Sequence, residues 1–175
     1  MGTFGFKYRR TQKAYIPVYP IASTVGGMVN TTDVGSLCVS GSSGVLDFKG
    51  GLPIGTTADT LRILGIITVV PENTTAGSTV PFYIAPITQG DIIEAQYSTT
   101  VEASTGAASV IASTNIGMWL GLGKNTTSVA FGAYIDPSLA STAPGTTNSM
   151  FFKMLGFSSQ NDTVWGVINS SHLAL

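Results

Sequence analysis

Between Asp91 and Ser98 apolar and polar residues alternate without interruption: Ile93, Ala95 and Tyr97 share one side, Glu94, Gln96 and Ser98 the other. A period of two is the signature of a strand with one face buried. The same period recurs at Val129, Phe131, Ala133 and Ile135. Arg62 to Val70 is an unbroken, β-branched apolar run, short enough to be a central strand covered on both faces. Val80–Ile84, Met150–Phe157 and Thr163–Asn169 extend the set, with shorter pieces at Tyr15–Val18, Ser36–Val39 and Val45–Phe48. No segment carries a helical apolar stripe of useful length. The chain is therefore expected to be all-β, a small barrel or sandwich with little helix.

Turn residues punctuate these runs. Gly41-Ser-Ser-Gly44, Lys124-Asn-Thr-Thr127 and Gln160-Asn-Asp162 read as connections between neighbouring strands. Val101–Thr114, rich in Ala, Ser and Gly, reads as a short helix or an irregular loop. Pro137–Asn148 has no apolar period and is expected to be a mobile surface loop.

At 175 residues the chain forms one domain, residues 14–175, preceded by an extended arm over residues 1–13. Within that arm Phe4, Phe6 and Tyr8 alternate with Gly5, Lys7 and Arg9, giving one aromatic and one basic edge. Lys7, Arg9, Arg10 and Lys13 are four of the chain's eight basic residues, and no acid occurs before Asp33. Such a segment either stays disordered alone or orders on a partner, its aromatics filling apolar pockets and its arginines pairing with carboxylates. Phe4, Phe6, Lys7, Tyr8, Arg9, Arg10 and Lys13 are accordingly the candidate partner-binding residues, and the body is expected to fold without them.

Enzymatic chemistry finds little support. Gly123-Lys124 fails as a phosphate-binding loop, with Met118 and Asn125 where glycine and a hydroxyl residue belong. Gly41-Ser-Ser-Gly44 is no nucleophile elbow, because Val45 takes the final glycine position. The single histidine, His172, is the fourth residue from the end and is expected to be exposed there. The single cysteine, Cys38, sits in an apolar run and is expected to be a small buried hydrophobe. Asp91, Glu94 and Glu102 are the densest acids, and they read as a solvated face. Trp119 and Trp165 stand in apolar strand runs and are expected in the core. No catalytic residue, metal ligand or cofactor is expected, and the chain is read as a non-enzyme.

Composition narrows the partners. Only 10% of the residues are charged, against about a quarter in ordinary domains. The surface must then be built largely from Ser, Thr, Asn, Gln and Gly, side chains that lose little rotamer entropy when covered. A formal net charge of −1 argues against general attraction to nucleic acid or anionic membrane. The longest apolar stretch, Ile63 to Val70, falls far below the ~20 residues of a membrane span. The basic start followed by a proline-broken Ala14–Pro20 lacks the pattern of an export signal, so cytoplasmic synthesis is expected. The Asn-X-Ser/Thr triplets at Asn30, Asn73, Asn125, Asn161 and Asn169 follow from a Ser/Thr-rich composition.

The order of segments resembles the small capsid cement, or head decoration, proteins of tailed bacteriophages. The likeness runs through Ile16-Pro17-Val18, Gly35-Ser-Leu-Cys-Val39, Leu64-Gly65-Ile66, Val80-Pro-Phe-Tyr-Ile-Ala85 and Gly90–Ser98, then Ile135-Asp136, a Ser/Thr/Ala loop, Phe151–Phe157 and Thr163–Ile168. It spans most of the chain after residue 14 and leaves the basic-aromatic start outside. It implies a virion structural protein on the outer surface of the head, assembled in a host cytoplasm and bridging neighbouring major capsid subunits. The partner implied is the major capsid protein, and a symmetric homo-oligomer, a trimer rather than a dimer, would suit a shell. No direct contact with nucleic acid or membrane and no cofactor is expected. The alternative is a carbohydrate- or receptor-binding β-module of a fibre or cell surface, which would need exposed aromatic platforms.

Overall fold

The computed structural model describes residues 5–9, 13–18, 34–35, 37–40, 62–72, 80–97, 111–123, 134–144 and 151–173. These residues form ten strands in two antiparallel sheets and no α-helix. The strands are β1 (Phe6–Tyr8), β2 (Ile16–Val18), β3 (Leu37–Ser40), β4 (Arg62–Val69), β5 (Phe82–Pro86), β6 (Ile93–Gln96), β7 (Trp119–Gly123), β8 (Tyr134–Ser141), β9 (Phe152–Ser158) and β10 (Thr163–Ile168). A six-stranded sheet runs β1-β6-β10-β9-β7-β8, and a four-stranded sheet runs β2-β5-β4-β3. The architecture is an all-β sandwich. The larger sheet curls until Tyr97, just past β6, bridges Ile135 of β8, but it does not close into a barrel.

The alternation read between Asp91 and Ser98 holds across β6: Ile93, Ala95 and Tyr97 are buried, while Glu94 and Gln96 are half-buried on the opposite face. β4 is a central strand with apolar residues on both faces, as its unbroken run predicts. Ile66 and Ile67 point opposite ways. Ile66 joins the main core with Leu37, Ile63, Phe6, Ile93, Leu120, Phe152 and Met154, between the two sheets. Ile67 joins a second cluster with Cys38, Val70, Phe82 and Ile84 on the other face of the smaller sheet. Burying isoleucine, phenylalanine and leucine at such positions contributes roughly 1.5–3 kcal/mol each before entropy is counted.

Two expectations are corrected. β8 runs on through Pro137 to Ser141, inside the stretch read as a loop from Pro137 to Asn148. Proline lacks the N–H that a central strand must donate, but β8 is an edge strand. Its register also jumps from Asp136 to Ala140 while β7 advances by the single step Leu120 to Gly121, a bulge that absorbs Pro137. His172 is buried, 7% exposed, in a short 3-10 turn (Ser170–His172). Its ring lies edge-on to Phe151 with centroids 6.4 Å apart, so this turn is tied to the core.

The start of the chain belongs to the sheet system. Of residues 1–13, the described ones include β1, which pairs antiparallel with β6 in the register Phe6↔Ala95, Lys7↔Glu94, Tyr8↔Ile93. On its other edge the Phe6 amide donates to the Gly35 carbonyl at 2.6 Å, and the Gly35 amide donates to Ile67 of β4 at 2.8 Å. Gly35 has φ +91°, a conformation that glycine reaches without strain, and a Cβ there would sit 3.0 Å from the Gly5 amide nitrogen. β1 therefore stitches the two sheets together. The stretches 41–50, 98–110 and 124–133, which include two of the expected turns and the pieces Val45–Phe48 and Val129–Ala133, lie outside the described residues.

Candidate functional site

Cross-strand pairs put a set of side chains on the outer face of the larger sheet. One row reads Lys7↔Glu94↔Trp165↔Gly156, and the next reads Val167↔Lys153↔Trp119↔Ser141. The neighbouring positions Ile93, Val164, Met154, Phe152 and Leu120 point inward and are fully buried, which fixes the direction of the rows by the period of two. A bulge between Trp165 and Gly166 leaves Leu155 without a register partner, and that side chain is 44% exposed. The face is part of a hydrogen-bonded sheet, so its geometry is set before any partner arrives.

Each tryptophan carries a cation. The Arg9 guanidinium lies 3.5 Å from the centroid of Trp165, and Lys153 Nζ is 5.7 Å from the ring of Trp119. Both fall within the range where the ring quadrupole attracts a positive charge. Lys7 Nζ and Arg9 Nη1 each stand 3.7 Å from a Glu94 carboxylate oxygen. Those separations are ion pairs without hydrogen-bond contact. Two cations therefore share one carboxylate.

A second cluster ties the N-terminal segment to the turn between β5 and β6. Asp91 Oδ2 accepts from the Thr88 amide at 2.7 Å and from Thr88 Oγ1 at 3.0 Å. Lys13 Nζ donates to the same oxygen and, at 2.7 Å, to Thr88 Oγ1. The Tyr8 hydroxyl meets the Pro86 carbonyl and lies 3.3 Å from Asp91 Oδ2. Burial by itself would raise the Asp91 carboxyl, but the hydrogen bonds from Lys13 and Thr88 and the Lys13 charge outweigh it and hold the group below its ordinary value. Burial, then the Asp91 charge and hydrogen bond, raise the Tyr8 phenol above its own.

The expected partner-binding residues thus divide. Phe6 is 2% exposed in the main core, and Tyr8 and Lys13 belong to the cluster around Asp91. Lys7 and Arg9 stand on the outer face beside Glu94, and the side chain of Lys7 is half exposed. Phe4 and Arg10 lie outside the described residues. Trp119 and Trp165, expected in the core, are half-buried on the outer face. The signal was available: Trp165 alternates with the inward residues Val164 and Gly166, whose parity the buried Ile168 fixes. Cys38 is fully buried, which pushes its thiol up to about 12 and leaves it unreactive. Among the described residues no group of three or more His, Cys, Asp or Glu is placed to hold a metal ion, and no helix is long and apolar enough to cross a membrane.

No protein family, no curated protein and no solved structure matches this chain. The arrangement itself must carry the functional argument. It is a hydrogen-bonded sheet face, with cations held over aromatic rings.

Proposed function

We propose that this chain is a virion structural protein, a capsid decoration protein that binds the outer surface of a phage head and stabilises contacts between neighbouring major capsid subunits. The observation that carries this reading is the outer face of the larger sheet, where Trp119, Trp165, Lys153, Lys7 and Arg9 stand on hydrogen-bonded strands. Tryptophan and arginine are the side chains that dominate protein interfaces. The low charge of the whole chain supports the same reading, because a Ser/Thr/Gly-rich surface packs closely against neighbours at little entropic cost. The order of segments resembling head decoration proteins adds to it. Each copy needs to cover only about 1,000 Å², since repetition over a symmetric shell multiplies modest contacts. The protein works without cofactor, as a homo-oligomer, with a trimer preferred to a dimer, and without touching nucleic acid or membrane.

The test is stoichiometry. Intact particles should contain this chain at a fixed ratio to the major capsid protein, on the outside, and adding it to bare expanded heads should raise their resistance to heat. Its absence from purified heads would overturn the reading. A carbohydrate-binding module is the second reading, favoured by the two tryptophans on a common sheet face. It predicts glycan-array signals that vanish in Trp119→Ala or Trp165→Ala.

A further inference from the structure

Across β1, β6, β10, β9 and β7, with Arg9 just past β1, the charged residues are Lys7, Arg9, Lys153 and Glu94. On these five strands three cations thus meet one carboxylate, with Asp136 on the edge strand β8 the second acid of the sheet, on a chain whose overall charge is −1. The positive excess is local and falls on the side of the sheet turned away from the core. It is also organised. Trp165 and Trp119 lie in adjacent rows, one through β10 and the other through β7, two strands apart. Residues two apart along a strand and two strands apart across it stand roughly 12 Å from each other. The two cation-bearing rings therefore form a pair of posts on one surface.

The Arg9 post is the more informative. A guanidinium stacked on an indole uses its flat faces for the ring, which leaves the N–H fork at its rim for a planar anion. Glu94 engages that rim loosely, at 3.7 Å, while also serving Lys7. Stacking on Trp165 removes much of the rotamer freedom that a free arginine would lose on binding.

We infer that this outer face is the docking surface of the protein, and that it takes a protein partner presenting carboxylates, received by Arg9 over Trp165 and by Lys153 over Trp119. The inference rests on the decoration reading above and specifies the chemistry of the contact. The partner's acids meet the two posts, and Leu155, exposed at the bulge between the rows, supplies the apolar contact between them.

The probe is an empty expanded shell assembled from the major capsid protein encoded by the same genome, with binding measured as a function of salt. Wild-type protein should bind, with affinity falling as salt rises. Arg9→Glu and Lys153→Glu should each weaken binding at least about tenfold at low salt and flatten the salt dependence. Lys153 is a partly exposed residue of β9, so Lys153→Glu should keep a thermal midpoint near wild type, and that midpoint is measured beside binding to separate docking from folding. Trp119→Phe should weaken binding less than Lys153→Glu does. If wild type binds and both charge reversals bind equally well, the inference is overturned while the decoration reading stands. If wild type ignores the shells, the decoration reading falls and takes the inference with it. Capture on immobilised polyglucuronate in place of shells would give the face to acidic glycans, and would likewise overturn the inference.

Discussion

The indole of Trp165 on β10 lies across Gly156 on β9, its direct register partner, so closely that a Cβ at position 156 would stand 2.5 Å from the Trp165 Cζ2 atom. The glycine is thus part of the surface, since it lets a large ring lie flat on the sheet where a side chain would push it away. Gly156→Ala should lift the ring, break its stacking with Arg9 and destabilise the fold by about 1–3 kcal/mol. Tryptophan emission should shift to the red and the thermal midpoint should fall. An unchanged spectrum would mean that the ring does not rest on Gly156.

Phe6 makes the N-terminal segment inseparable from the body. It is 2% exposed, packs in the main core, and its strand is hydrogen-bonded to β6 on one side and to Gly35 on the other. Phe6→Ala should cost about 3–5 kcal/mol by the loss of transfer energy and the cavity left behind. Deleting residues 1–13 should lower the denaturation midpoint at least as much. A truncated protein with the wild-type midpoint would refute this.

How far the sequence reached depended on which interactions decide each element. The period of two at Ile93, Ala95 and Tyr97 was enough for β6, and the unbroken run around Ile66 and Ile67 was enough for a strand buried on both faces. Those patterns are local consequences of burial. Phe6 and His172 could not be placed in that way, because their surroundings come from distant strands, whereas the side of Trp165 was legible from its alternation with Val164 and Gly166. Phe6 is buried by pairing with β6, and His172 is held beside Phe151. Pro137 ended the strand in sequence but not in space, because the bulge opposite Leu120 and Gly121 accommodates it at a sheet edge. The charges near the start were legible as a cluster, yet the acids that receive Lys7, Arg9 and Lys13 lie about eighty residues further on, at Asp91 and Glu94.

Asp91 gives the fold an acid-sensitive point. Its carboxyl titrates below its ordinary value of 3.8 in the folded protein. The unfolded chain therefore binds the proton first as pH falls, and the stabilisation is fully present above 3.8 and lost as pH drops through the lowered value. Asp91→Asn should remove the charge that Lys13 and Thr88 hold and flatten this part of the acid dependence. Urea midpoints from neutral pH downward provide the check. A variant that follows the wild-type acid curve would assign the loss to other carboxylates.

Alkaline behaviour should come from Tyr8, in the same cluster as Asp91, and from Cys38 in the second core cluster. Cys38 is fully buried, and its thiol rises from 9.0 to about 12 in the folded state because a thiolate there would have no solvation. Tyr8 is raised above 10.0 by burial first and by its contact with Asp91 second. Both groups are held in their protonated forms by the fold, so the stability they contribute is intact below their unfolded values and drains away as pH climbs through the folded ones. Denaturation midpoints should therefore decline from about pH 9 upward. Cys38→Ala should delay the start of that decline, since the first group to ionise in the unfolded chain is gone, while lowering the neutral-pH midpoint through the small cavity it leaves. Tyr8→Phe should soften the upper part of the curve and loosen the Asp91 cluster. If neither variant alters the slope above pH 9, the alkaline loss belongs to groups other than Cys38 and Tyr8.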